Sequence, residues 1–225
     1  SYVDKTATLY LVDVESGRRT EVHQGQWGDG PDYSWSHDGA WIAFTTAGDN
    51  MLSQIWTYEV ATGTKTQLTR GMFGDADPTF DREGEFLYYT SARDFSAPTY
   101  EDVGTTFVYD DIEVVLMVPL REDVEVPGRP EDDQEEWEDD SDSDDDADKD
   151  EDEDNGDDEA EEEEQPPITI DLEGFEARAV KLDLESGNYG QLTVVDGGAL
   201  VYRRGGWSDD GAIFVYDPHA DEPEE

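Results

Sequence analysis

Apolar and polar residues alternate along most of this chain in short runs, with the two-residue period of half-buried β-strands, and Gly, Asn and Asp fall between the runs where turns belong. Residues 9–14 (LYLVDV) read as a strand, Glu15, Ser16 and Gly17 as a turn, and residues 20–22 as the start of another strand. Residues 34–46 (SWSHDGAWIAFTT) read as a strand, a turn at Asp38 and Gly39, and a second strand rich in aromatic and β-branched side chains. The pattern returns without a gap 45 residues later as residues 79–91 (TFDREGEFLYYTS), with Glu83 and Gly84 at the turn. Glycine stands in both copies where the turn needs a positive φ.

A repeat near 45 residues built from strand hairpins has the spacing of a four-stranded propeller blade. A single such sheet cannot bury both of its faces, so blades imply neighbouring blades. The expected fold is therefore all-β, a partial β-propeller of four-stranded antiparallel blades. Residues 1–24 read as the last two strands of one blade. Residues 25–70 read as a full blade, in which residues 55–60 (IWTYEV) and 66–69 follow the hairpin. Residues 71–126 read as a blade whose second and third strands are separated by a long excursion over residues 92–111. Its aromatics (Phe95, Tyr100, Phe107, Tyr109) suggest a loop that packs on something, a plain surface excursion being the equal alternative. Residues 112–120 (IEVVLMVPL) resume the sheet, with Pro119 at a strand end or edge. Residues 25–29 (GQWGD) match residues 71–75 (GMFGD) at an offset of 46, which a one-residue loop indel explains.

Residues 127–167 break the pattern. Between Glu131 and Glu164 stand 25 of the 61 acids and one base, Lys149, a composition expected to stay disordered and solvated. The propeller is expected to continue over residues 168–225. There residues 179–187 (AVKLDLESG) echo LYLVDVESG, and residues 187–193 (GNYGQLT) match residues 63–69 (GTKTQLT), the run that ends in the outer strand 66–69. Asp196, Gly197 and Gly198 then turn into a hairpin whose second strand is residues 212–216, and the chain stops in mid-blade.

Charge narrows the function. The formal net charge is −47, and outside the acidic tract 36 acids still face 13 bases for a net −23. Binding to nucleic acid or anionic lipid through a basic face is excluded. So acidic a globular part repels itself at low salt, whereas molar salt shortens the Debye length to roughly 3 Å, so the composition points to a halophile, the alternative being an acidic protein of an ordinary cell. The use of four lysines against ten arginines agrees. Cysteine is absent, which removes disulfides, thiolate metal sites and a cysteine nucleophile. No apolar run is long enough to span a membrane. Glu151, Glu153, Asn155, Gly156 and Glu162 mimic a calcium-loop spacing, but such spacing arises by chance in an acidic tract without flanking amphipathic helices. No cofactor or metal is expected.

No nucleophile elbow, zinc-peptidase motif, phosphate loop or dinucleotide fingerprint occurs. The three histidines (His23, His37, His219) read as surface or turn residues, and the tryptophans mostly as core. No catalytic residue is expected in this chain. In a propeller the first strand of each blade lines the central axis, which puts residues 32–35 and 77–80 innermost. Both begin with an acid. Asp32 and Asp77 are therefore the candidate channel-lining residues, and the alternative is that each caps backbone N–H groups at a turn.

At SWSHDGAWIAF and IWTYEVATG the chain resembles the WD40-like propeller repeats shared by tricorn proteases, TolB and the prolyl-oligopeptidase group. More specifically, FDREGEFLYYTSARDF, the aromatic excursion, PLRED, the acidic insert, ITIDLEGFEARAV and the turn at Gly187, Asn188 and Tyr189 follow the order seen in the later part of the tricorn second propeller. The resemblance implies a cytosolic serine peptidase, assembled as a homohexamer, that degrades oligopeptides with a catalytic half not matched here. Its propellers would guide or gate peptides. The alternative is a noncatalytic TolB-like propeller module for protein or peptide binding.

Overall fold

The structure, a computed structural model, describes residues 1–26, 30–96, 98, 100–102, 106–127, 167–205, 211–218 and 220. The acidic tract from 128 to 166, Lys149, the calcium-like spacing and His219 lie outside the described residues.

The 45-residue repeat is a repeat of strand register. β1 (Tyr2–Val3), β2 (Thr8–Val12) and β3 (Arg19–Gln24) make a first sheet in that order. A second sheet follows as β4 (Tyr33–Trp35), β5 (Trp41–Ala47), β6 (Ser53–Glu59) and β7 (Thr64–Gln67). The third sheet begins with β8 (Gly74–Phe80) and β9 (Phe86–Ala92). Ser34 faces Ala43 and Trp35 faces Ile42 across β4 and β5, and 45 residues on Thr79 faces Tyr88 and Phe80 faces Leu87. The turns agree as well, with Gly39 at φ 69° and Gly84 at φ 76°. In the first turn Asp38 accepts from the Ser36 hydroxyl (2.6 Å) and the Ala40 N–H (3.0 Å). In the second, Asp81 stands where Ser36 stood and itself accepts from the N–H groups of Gly84 (2.9 Å) and Glu85 (3.0 Å).

The excursion after β9 forms its own small hairpin, β10 (Tyr100–Asp102) with β11 (Thr106–Val108). Its aromatics are exposed instead of packed on a neighbour, and Phe95 meets Tyr109 edge-on at 5.4 Å. β12 (Glu113–Pro119) returns to the sheet with its proline at the end. The fourth strand is β13 (Val180–Lys181), from beyond the acidic tract, so the third sheet runs β13-β12-β9-β8. β14 (Asn188–Val194), β15 (Leu200–Gly205) and β16 (Ala212–Tyr216) form the fourth sheet.

Alternation sends the two faces of each strand into different cores. From β9, Leu87 and Tyr89 join Ala43 and Ile55 of the second sheet, whereas Phe86 and Tyr88 join Leu192, Leu200 and Tyr202 of the fourth. β12 divides in the same way, Val114, Leu116 and Val118 to one side and Val115 and Met117 to the other. Ile42 and Phe44 of β5 meet Leu9 and Val22 of the first sheet. Each such side chain gains about 1.5–3 kcal/mol on full burial, so a sheet left without a neighbour forfeits half of its driving force. Stacked antiparallel sheets, two of four strands and two of three among the described residues, are the propeller architecture that the repeat spacing called for.

Three details differ from the sequence reading. β1 adds a strand to the first sheet that a two-residue run could not announce. Residues 187–193 are not an outer strand: β14 is the first strand of the fourth sheet, pairing Asn188 with Gly205, and the outer strand of the third sheet is β13, pairing Lys181 with Leu116. The shared Gln-Leu-Thr tripeptide is local, whereas a strand's place in a sheet is set by its partners. The described tryptophans, Trp35, Trp41 and Trp56, lie at the margins of the cores and none is buried.

Candidate functional site

β4, β8 and β14, the first strands of three consecutive sheets, come side by side, and a cleft of about 670 Å³ opens along them. Asp32 and Asp77 both line it. Asp32 is exposed and enters β4, where its carbonyl accepts the Thr45 N–H at 2.9 Å while its carboxylate stays at the surface. Asp77 is half-buried in a bulge of β8, at a left-handed φ of 55° that an Asp tolerates better than most residues.

The Asp77 carboxylate accepts the Leu192 N–H at 2.7 Å, and the Thr79 hydroxyl donates to the Leu192 carbonyl at 3.0 Å. Both backbone groups of Leu192 are thus held by side chains of the neighbouring sheet. They need those partners because β14 is itself bulged between Gly190 and Thr193, where its ladder with β15 lapses. Arg82 adds a further link, donating from Nε to the Val194 carbonyl (3.4 Å) and pairing with Asp196 (3.1 Å). Asp77 therefore caps a backbone N–H and lines the cleft at once, and its capping partner is 115 residues away in sequence.

The local field is acidic. Burial raises the Asp77 carboxyl above its ordinary range, the Leu192 N–H opposes that, and the charge of Asp32 adds to it. Glu113, at the start of β12, is raised by burial and by Asp77, while its carboxylate accepts the Tyr189 N–H at 2.7 Å. Asp81, also on the cleft wall, is pushed up to about 6, burial being the largest cause. Glu113 and Asp81 were not among the sequence candidates. The one available signal for Asp81 was an acid replacing Ser36 in the repeat.

The cleft brings together carboxylates, hydroxyls, one guanidinium and the His37 imidazole, an arrangement suited to holding cationic or amide groups, and no hydroxyl among the described residues of the cleft is bonded to that imidazole. Among the described residues the one histidine–hydroxyl bond is between His23 and Thr46, at 2.7 Å and away from this cleft. A Ser91–Asp75–Arg93 cluster exists, with Ser91 donating to Asp75 at 2.5 Å, but Ser91 and Asp75 are fully buried and beyond the reach of a substrate. No group of three or more His, Asp or Glu positioned for a metal occurs among the described residues. None of their helices is long and apolar enough to cross a membrane.

Sequence comparison decides between the propeller families. The profile of the tricorn protease second beta propeller domain matches residues 1–224. The chain belongs to that family. The chain is 26% identical over 195 residues to tricorn protease homolog 1 of Streptomyces coelicolor, covering 87% of the chain and 17% of the relative. In three dimensions it superposes on the crystal structure of the tricorn protease with a TM-score of 0.65 at 17% identity, over 96% of the segment and 20% of that chain. TolB from Acinetobacter baumannii superposes with a TM-score of 0.51 at 13% identity, over 93% of the segment and 35% of that chain. The chain thus spans about a fifth or less of the length of the tricorn relatives it matches.

Proposed function

We propose that this segment guides oligopeptides along the propeller axis of a tricorn-like serine peptidase, with Asp32 and Asp77 giving the passage a negative rim. The observation that carries the reading is their presence in one cleft formed by the first strands of adjacent sheets. Such a rim attracts cationic peptides and repels anionic ones, with energies that shrink as salt rises. On this reading the whole protein is cytosolic and homohexameric, and its nucleophile is supplied by residues beyond these 225, so the isolated segment has no peptidase activity.

The test is Asp32→Asn with Asp77→Asn in the whole enzyme. Asparagine keeps an acceptor for the Leu192 N–H while removing the charge. The ratio of kcat/KM for matched cationic and anionic peptides at reduced salt should fall toward one. An unchanged ratio in a folded variant ends the guiding role of these residues, and lost stability with an unchanged ratio leaves Asp77 as a cap alone. A reading frame without a peptidase half would favour the TolB-like alternative.

A further inference from the structure

Along the cleft, the seam between the third and fourth sheets is stitched by side chains, and the matching seam between the second and third is not. Ser36, Asp81 and Val195 each donate the N–H that closes the first hairpin of their sheet, to Trp41, Phe86 and Ala199 (3.0, 3.1 and 3.0 Å). Counting back three residues makes Tyr33, Pro78 and Leu192 equivalent, each with its backbone groups turned away from its hairpin partner. Ser34 then matches Thr79 and Asp32 matches Asp77, as the sequence repeat also requires.

On the stitched seam Asp77 and Thr79, two residues apart on β8, hold the N–H and the C=O of one residue, Leu192 (2.7 and 3.0 Å). Asp32 and Ser34 have the same spacing beside β8, but Pro78 stands where the leucine would and has no N–H to give. The pair is left open. Asp32 is exposed with no donor to its carboxylate among the described residues, and the Ser34 hydroxyl is buried without a partner. His37, in the place of Arg82, makes no third stitch, since its ring lies over Gly84. Pro78 is itself buried, as Leu192 is, so the apolar side of this seam is closed while its polar side is unfinished.

We propose that Asp32 and Ser34 hold the main chain of an extended peptide, Asp32 accepting one backbone N–H and Ser34, after a rotation about χ1, donating to the C=O of the same residue. The proposal rests on the reading that peptides occupy this cleft and adds what is recognised in them. The chain carries its own template, because Leu192 is held by the same two kinds of group at the same spacing. A buried hydroxyl without a partner is a loss that a filled site recovers. Main-chain recognition ignores side chains and requires only a non-proline residue, which suits a passage for peptides of many sequences. The cleft, at about 670 Å³, has room for several residues. A hydrogen bond to a carboxylate acts at contact, so it persists in molar salt that screens the longer-ranged field of the rim.

The experiment is calorimetric titration of the whole protein, any serine nucleophile blocked with a phosphonylating reagent, in about 1 M salt. Two uncharged ligands are compared, N-acetyl tetra-alanine amide and the same peptide N-methylated at every alanine. Tetra-alanine should bind saturably, and the methylated peptide at least about fivefold more weakly. Pro78→Ala gives Asp32 an N–H of its own chain to hold and should weaken tetra-alanine about fivefold or more. Ser34→Ala should weaken it about threefold or more while leaving the thermal midpoint unchanged or higher, because the hydroxyl it removes has no partner. Should Pro78→Ala lose its fold, Ser34→Ala decides alone. Equal binding of the methylated peptide, undiminished affinity in either folded variant, a lowered midpoint in Ser34→Ala, or no saturation tighter than about 1 mM overturns the proposal. Both ligands are uncharged, so the outcome is separate from the charge discrimination tested with Asp32→Asn and Asp77→Asn. A ratio that falls there while tetra-alanine ignores Pro78→Ala keeps the rim and ends the main-chain clamp, and the opposite pair of results keeps the clamp and ends the rim.

Discussion

Replacing Asp81 by asparagine removes one ionisation from the buried turn of the second repeat while keeping a side-chain oxygen for the Gly84 N–H. In the fold, burial lifts the Asp81 carboxyl from 3.8 to about 6 against the opposing backbone N–H groups, with the charge of Glu83 adding to the rise. Between those values the folded protein holds a proton that the unfolded chain has released. Stability contributed by this group is therefore complete below about pH 4 and is lost as pH rises through about 6. The interval corresponds to about 3 kcal/mol at neutral pH. The asparagine side chain titrates nowhere, so the stability difference between Asp81→Asn and parent should move in favour of the variant by about that amount from about pH 4 to about pH 7.5. Urea unfolding in constant molar salt reads it directly. With a slope of about 2–3 kcal/mol/M, the variant's midpoint should gain about 1 M relative to the parent across this range. The other carboxylates cancel because both proteins carry them. A difference that stays constant with pH, or that turns against the variant at high pH, would show that the N–H groups of Gly84 and Glu85 hold the ionised carboxylate well, and would refute the reasoning.

Gly84→Ala should destabilise more than Gly39→Ala. Both glycines have positive φ and lose about 1 kcal/mol from backbone strain alone, but a Cβ at Gly84 would meet Ile168 and His37 at 2.7 Å, whereas nothing lies within 4 Å at Gly39. Equal losses in urea unfolding would deny that close approach. Tyr89→Phe should lie within about 1 kcal/mol of neutral, because the buried hydroxyl makes no hydrogen bond of normal geometry and its one weak partner is the Arg93 guanidinium. A loss of more than about 1 kcal/mol in the same assay would refute that account.

The second sheet and both repeated hairpins were legible because their information is local: a two-residue alternation, a turn glycine, and partners a few residues away. β13 was not, since two residues carry no period and its partner β12 ends 61 positions earlier, so the echo of Gln67, Leu68 and Thr69 misdirected the reading of Gln191, Leu192 and Thr193. At the site, the position of Asp77 at an inner strand could be read from the repeat. Its bond to Leu192 could not, because it depends on how β14 stacks beside β8. Glu113 escaped for the same reason: only the assembled sheets place it near Asp77.

The meeting of β12 and β13 has a consequence for how this protein tolerates change. On the near side of the long connection Leu120 follows β12, and on the far side Asp171 donates its N–H to the Leu120 carbonyl (2.8 Å) while its carboxylate accepts the Glu122 N–H (2.9 Å). The two posts are stitched together by the folded sheet itself. For a loop between fixed posts, each doubling of length costs only about 0.6 kcal/mol in closure entropy. Shortening or rewriting residues 131–164 should therefore cost the sheet little, and a marked loss of stability in molar salt would overturn that expectation.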